Sequence, residues 1–353
     1  MKRILLLGGT GAMGVHLAEL AVNAGWAVSV TTRGERVGQN GVNFICGNAR
    51  DEQFLRRLLT EHWDVIVDFM VYRTDEFANR FNRLLAACDQ YLYLSSARVY
   101  ADSEAPITEE SPRLLDVSVD SKYLATDEYA LSKARQENLL FESDLSNWTI
   151  IRPYITYSEQ RLQLGVLEKE AWLYRALKGR TVVFCEAINE RATTITHGCD
   201  VASTMLLLCG NKAAHGEAYQ ITSGNSLRWS HILDIYQAVF QEAIGRRFSV
   251  ELESTETFVR AHGSRYQIIY DRLLDRSFDI SKLCSLLGDR LQDFVDPVNG
   301  LEQCLKAFLQ NPAFLAIDWR FEAIKDRITH ERASFSEVDS ARSKIKYYRS
   351  RYF

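Results

Sequence analysis

A doubly wound α/β architecture, a parallel sheet covered on both faces and followed by a smaller C-terminal α/β region, is what the pattern of this chain predicts. Three observations carry the prediction. Over the first 150 residues, apolar runs of four to six residues alternate with amphipathic stretches, as in βαβ units. The runs lack polar alternation, as expected of strands buried on both sides. The first run ends in glycines, Gly8-Gly9-Thr10-Gly11-Ala12-Met13-Gly14, which open onto a helical pattern.

In order, the apolar runs predict strands at Arg3–Leu7, Ala27–Thr32, Val42–Cys46, Asp64–Phe69, Tyr91–Ser95 and Trp148–Ile151. Helical patterns between them predict helices at Met13–Ala24, Asp51–Glu61, Thr74–Cys88 and Lys122–Glu142. After Pro153 the pattern changes. Helical stretches at Leu162–Lys178, Val201–Cys209, Trp229–Gly245 and Val298–Leu309 mix with strands at Ala218–Thr222 and Phe248–Leu252. The expected organisation is a nucleotide-binding domain at 1–153 and a substrate region at 154–317, not strictly contiguous. A tail follows at 318–353, rich in Arg, Lys, Glu and aromatics, which is either docked as helix or partly disordered.

Composition narrows the function classes. The chain has 353 residues, 46% hydrophobic and 25% charged, as in ordinary globular proteins. A net charge of −4 provides no basic footprint for nucleic acid. Ile4–Leu7 is too short for a signal-peptide core or a membrane span, so a cytoplasmic protein without a membrane partner is expected. The seven cysteines form no CxxC pair and are expected to be reduced and mostly buried; no metal site is expected.

The glycines have a physical purpose in a Rossmann-type fold. Gly8 permits the tight turn out of the strand, Gly11 lets backbone approach a pyrophosphate, and Gly14 lets the helix pack on the sheet. The helix N-terminus, with Thr10, Ala12 and Met13, then offers N–H groups to phosphate. At the end of the second strand, a carboxylate would hold the ribose 2′-OH of NAD. This chain has Thr32 and Arg33 there instead, which favours the 2′-phosphate of NADP, with NAD still open.

Tyr129 and Lys133 stand one helical turn apart and so share a face. A lysine ammonium beside a phenol favours the phenolate, and such a tyrosine exchanges protons with a carbonyl/alcohol pair while a nicotinamide exchanges hydride. Ser96, at the end of the fifth strand, can bond the same oxygen. A second YxxxK, Tyr174 to Lys178, lies beyond the sixth strand, and Tyr174 is expected to be a packing residue.

Together these residues resemble the extended branch of the short-chain dehydrogenase/reductase superfamily, which includes nucleotide-sugar epimerases, dehydratases and reductases. The resemblance spans roughly residues 1 to 245. It rests on GGTGAMG, Leu94-Ser95-Ser96-Ala97-Arg98-Val99-Tyr100, Tyr129-xxx-Lys133, Ile151-Arg152-Pro153 and Thr196-His197-Gly198-Cys199-Asp200-Val201-Ala202. It implies Ser96, Tyr129 and Lys133 as the catalytic set. It implies Asn48 and Ala49 near adenine, and Phe69, Met70 and Pro153 beside the cofactor. Ser96, Arg98, Tyr154 and Arg191 are implied for the substrate, and a homodimer through Thr74–Cys88 and Lys122–Glu142 is expected. His197 and Asp200 are expected to fix a helix start, with Asp200 as N-cap.

The departures matter as well. Ala97-Arg98 replaces the Asp-Glu pair of the branch's dehydratases, so a 4,6-dehydratase is rejected. Ile155 replaces an Asn that contacts substrate phosphates in many members, and Arg265 and Arg272 are further phosphate candidates. The leading expectation is an NAD(P)-dependent nucleotide-sugar oxidoreductase or epimerase. The alternatives are an NADPH-dependent reductase of a non-nucleotide carbonyl compound and a non-catalytic cofactor-sensing or nucleic-acid-associated relative.

Overall fold

A computed structural model describes residues 1–36, 38 and 40–352. The chain divides into two compact units. The first comprises Met1–Thr156, Thr194–Asn225 and Ser277–Val295; the second comprises Tyr157–Thr193, Ser226–Arg276 and Asp296–Phe353. The chain thus returns to the first unit twice after residue 153.

The first unit is built on a seven-stranded sheet: β1 (Arg3–Leu7), β2 (Ala27–Thr32), β3 (Val42–Cys46), β4 (Trp63–Asp68), β5 (Cys88–Leu94), β6 (Trp148–Pro153) and β7 (Glu217–Ile221). Their spatial order is β7-β6-β5-β4-β1-β2-β3, and every pairing is parallel. The order reverses between β1 and β4. Loops leaving the two strands therefore diverge and open a crevice at their carboxyl ends.

Helices cover both faces. One face packs Leu17, Ala18 and Ala21 of α1 (Gly14–Asn23) with Val201, Ala202 and Met205 of α6 (Gly198–Leu208) around Ile4, Leu6 and Val30. The other packs α2 (Glu52–Leu58), α3 (Thr74–Ala78), α4 (Phe81–Ala86) and α5 (Tyr129–Phe141) around Leu5, Leu7, Ile66 and Tyr91. Two-sided burial explains why these strands read as continuous apolar runs.

Three predicted helices are corrected. Thr74–Cys88 is two helices, and Cys88 begins β5 opposite Trp63. The break falls at Asn79-Arg80, where the buried Arg80 guanidinium donates to the carbonyls of Ala49, Arg50 and Glu76. Lys122–Glu142 is a single turn, Ser121–Leu124, followed by α5. Arg135 holds the intervening loop through the carbonyls of Leu124 and Thr126. In the second unit, Leu162–Lys178 contains a hairpin pairing Gln163–Leu164 with Leu167–Glu168, then a short helix at Leu173–Leu177. Gly165 occupies the first position of that two-residue turn at φ +60°, the left-handed region that glycine enters freely.

The second unit pairs Val182–Cys185 with Val250–Glu253 in parallel. It packs α7 (Trp229–Ile244) with α8 (Pro297–Gln310), and it contains α9 (Trp319–Ile328) and α10 (Ala341–Tyr352). Trp172 stacks on Tyr236 at 4.6 Å, and the Tyr236 hydroxyl donates to the Gln163 carbonyl. The C-terminal segment is docked helix, the first of the two states left open for it. Tyr174 packs edge-on to Trp319, as expected of a packing residue.

Candidate functional site

The loop between β1 and α1 is built as a phosphate cradle. Gly8 has φ +73°, and its N–H donates to Thr31 Oγ1 at 2.9 Å. A Cβ on Gly14 would lie 2.6 Å from the Gly9 backbone, so only glycine lets α1 come this close to the strand end. A Cβ on Gly11 would meet no atom within 4 Å; the space in front of it is open. Met13 is the N-cap of α1 without a side-chain cap, and the first turn contains no acidic residue. The helix therefore presents unsatisfied N–H groups and its positive end to that space. These features fit the pyrophosphate of a dinucleotide.

A cleft of about 360 Å³ continues from the cradle, lined by Gly8, Thr10, Thr32, Arg33, Asn48, Ala49 and Met70 among others. Among the described residues lining it there is no carboxylate, and there are two arginines, Arg33 and Arg50. Asn48 Oδ1 accepts from the Arg50 N–H at 3.1 Å, which shapes the loop after β3. Phe69 follows β4, its N–H bonded to the Leu7 carbonyl.

A second cleft, of about 230 Å³, meets the first at Arg50 and includes Tyr72, Asp127, Tyr129, Ser132 and Lys133. Tyr129 is the first residue of α5 and Lys133 lies one turn on. The Lys133 ammonium is buried, donates to the Leu94 carbonyl at 2.6 Å, and lies 5.9 Å from the Tyr129 ring centre. Burial pulls its pKa down to about 8, against the opposing pull of Asp68 and Glu137. The Arg98 guanidinium lies 5.0 Å from the same ring centre and pairs with Glu128 at 2.6 Å. Glu128 also caps α5 by accepting from the Ala130 N–H. Ser96 Oγ accepts from the Arg98 N–H at 3.2 Å. Two cations thus lie within 6 Å of the Tyr129 ring centre.

Other predicted residues are not among those lining these two clefts. Tyr154 is buried with its ring 5.3 Å from Phe278, and Pro153 ends β6 in the core. Arg191 belongs to the second unit, where it is half-exposed and lies 3.8 Å from Asp275. Arg272 is buried, bonded to Asp271 and to the Gly165 carbonyl. The N-cap of Gly198–Leu208 is His197, whose Nδ1 accepts from the Cys199 N–H; Asp200 instead accepts from the Val295 N–H at 2.8 Å. The helix begins three residues earlier than an Asp200 cap requires.

Several residues that matter to the site have no motif. Asp68 ends β4 fully buried and accepts from the hydroxyls of Tyr91 at 2.8 Å and Tyr72 at 3.3 Å; desolvation raises its pKa. Glu137, two turns beyond Tyr129, receives Arg152 in two bonds of 2.8 Å, Ser95 Oγ at 2.6 Å and Arg113 at 3.2 Å. Gln136 and Ser132 bond the Tyr72 carbonyl. The one signal in the sequence was a carboxylate within an apolar run, Val65-Ile66-Val67-Asp68-Phe69, and a second on the Lys133 face of the helix.

The fold has counterparts in solved structures. An epimerase-like protein from Burkholderia cenocepacia J2315, described as a "putative epimerase", superposes with a TM-score of 0.65 at 18% identity, over 88% of this chain and 98% of that one. UDP-glucose 4-epimerase from Bifidobacterium longum, solved with NAD+ and UDP, gives 0.65 at 19% identity, over 88% and 99%. A dTDP-glucose 4,6-dehydratase from Bacillus anthracis, solved with NAD, gives 0.67 at 15%, over 88% and 97%. Among curated proteins, the chloroplast stem-loop binding protein of 41 kDa b from Arabidopsis thaliana is 28% identical over 238 residues, 63% of this chain. The chain spans 58% of the length of that relative. The profile of the NAD dependent epimerase/dehydratase family matches residues 4–222, the stretch that builds the whole seven-stranded sheet and both clefts. With the glycine cradle and the Tyr129–Lys133 turn inside that match, the chain belongs to the NAD-dependent epimerase/dehydratase family.

Proposed function

We propose that the protein is an NAD(P)-dependent oxidoreductase or epimerase acting at a sugar carbon, with a nucleotide-sugar as substrate and Tyr129 as the acid/base. The carrying observation is the placement of Tyr129 and Lys133 in one cleft that meets the cradle cleft at Arg50. The UDP bound to the Bifidobacterium enzyme supports the substrate class. A bound nicotinamide would supply the hydride acceptor and donor. The Tyr129 hydroxyl passes the proton to or from the substrate oxygen, Ser96 holds that oxygen, and Lys133 stands one helical turn on in the same cleft.

Arg33, in a cleft with no carboxylate among its described lining residues, supports NADP over NAD. Ala97-Arg98 in place of an acid pair, with Arg98 already engaged by Glu128, supports hydride transfer without water elimination. A homodimer belongs to the same reading and is tested by light scattering. The test of function is to identify the nucleotide released on denaturation, then to assay Tyr129→Phe on UDP-sugars. The variant is expected to bind nucleotide normally and lose roughly 10²–10⁴ in kcat. Full retained activity on a confirmed substrate would remove Tyr129 from the mechanism.

The name of the Arabidopsis relative supports a second reading, in which the chain also binds structured RNA. Gel-shift with a hairpin RNA tests it; no shift at low salt removes it.

A further inference from the structure

The second unit segregates its charge. Within α10, the twelve residues Ala341–Tyr352, lie Arg342, Lys344, Lys346, Arg349 and Arg351, with no acidic residue. Among the described residues, none of these five is paired with a carboxylate; Arg351 is half-buried and donates to the Glu331 carbonyl, while Arg342, Lys346 and Arg349 are exposed. The carboxylates of the neighbouring segment are turned inward. Asp326 receives Arg175 at 2.6 Å, Arg180 at 3.1 Å and the Tyr347 hydroxyl at 2.6 Å. Glu322 and Glu331 take Arg175 at 3.0 and 3.2 Å, and Glu337 takes Arg180 at 3.3 Å. Asp339, before the helix, is exposed. The result is an acidic interior saturated by two buried arginines and a cationic outer helix in an acidic chain.

The helix spends its one buried aromatic, Tyr347, on docking: the ring meets Trp319 edge-on, and the hydroxyl also accepts from the Ala333 N–H. Two further tyrosines face outward. Tyr348 and Tyr352 are 57% and 47% exposed, with ring centres 4.9 Å apart. Lys344 lies over the exposed Phe335 ring at 4.3 Å.

We infer that the outer face of α10 is a contact for single-stranded RNA, the cations taking the phosphates and Tyr348 and Tyr352 stacking on unpaired bases. Charge complementarity gives the affinity, and flat exposed aromatics spaced one turn apart give the preference for unstacked bases over a duplex. A bilayer is disfavoured because a membrane-surface helix needs a broad apolar face. The exposed aliphatic residues of α10 are Ala341 and Ile345. The inference gives a surface to the RNA reading above and does not depend on hydride transfer.

The experiment uses the full chain and fluorescence anisotropy with two labelled RNAs, a hairpin with an unpaired uridine loop and a blunt duplex of equal length. The expected result is tighter binding of the hairpin, falling with salt at a log–log slope of about −0.7 per phosphate contacted. Lys346→Glu/Arg349→Glu is expected to weaken both RNAs by roughly tenfold or more. Tyr348→Ala/Tyr352→Ala should weaken the hairpin selectively. Urea melts confirm that the variants fold, and NADPH binding should be unchanged.

Hairpin binding that ignores the charge reversal would overturn this assignment and leave the RNA reading standing. Absence of RNA binding would end both while leaving hydride transfer intact. Equal binding of both RNAs with no effect of the tyrosines, or tighter capture by phosphatidylserine vesicles, would also overturn it.

Discussion

Gly14 and Gly11 belong to one motif and are constrained for opposite reasons. At Gly14 an added methyl meets backbone that cannot move aside, so Gly14→Ala is expected to cost about 1–3 kcal/mol in urea unfolding. At Gly11 it meets no protein atom, so Gly11→Ala should leave stability within about 0.5 kcal/mol while weakening dinucleotide binding in calorimetry. Equal stability losses would show that the open space before Gly11 is not a ligand's. Lys133 makes a different prediction. Its pKa of about 8 in the folded chain lies below the roughly 10.4 of an unfolded one. Below about pH 8 the folded state bears the full cost of a buried ammonium. Between the two values the unfolded chain binds more protons, so this group makes stability rise with pH. Lys133→Met should remove that rise in melts from pH 8 to 10 and abolish turnover at every pH. Loss of the ammonium form should also reduce parent activity above about pH 8. Arg33→Ser should lower the preference for NADPH over NADH by about tenfold in competitive binding; an unchanged ratio would make Arg33 a solvated residue.

The elements depend on residues distant in sequence. Helix α5 brings Tyr129 and Lys133 to the cleft, and Glu137 ties it down by receiving Arg152 from β6 as well as Arg113. Breaking a buried pair strands the remaining charge. Arg152→Met is therefore expected to cost about 3–5 kcal/mol, and Arg152→Met/Glu137→Leu less than the sum of its singles, measured as a double-mutant cycle in urea. Additive costs would mean the pair contributes no coupling. Strand runs and most helices were legible because their periodicity reflects burial on one or two faces. The breaks at Arg80 and before Glu128 were not: the breaking interactions are arginine bonds to carbonyls across a loop, and periodicity does not register them.

In the whole molecule, the first unit recruits Thr194–Asn225 to supply β7 and the helix that covers α1, and the second unit gathers α9 and α10 around Arg175 and Arg180. Because Asp326 joins both arginines to Tyr347, Asp326→Ala should loosen α9 and α10 together. Hydrogen exchange should rise in both helices at once; a rise in α9 alone would show that α10 docks independently.

The sequence by itself determined the parallel sheet, the cradle and the Tyr129–Lys133 turn. Each is a local demand: a strand must be apolar where it is buried, a tight strand-to-helix turn needs glycine, and one helical turn sets two side chains on one face. Only the tertiary structure decided the rest. It buried Asp68 beneath Tyr72 and Tyr91, set Arg98 against Tyr129 with Glu128 as its partner, sent Arg191 to the other unit, and turned Glu322 and Asp326 of the C-terminal segment inward onto Arg175 and Arg180. Those are choices among charged partners far apart in the chain. Their energies depend on distance and desolvation, which exist only once the fold has formed.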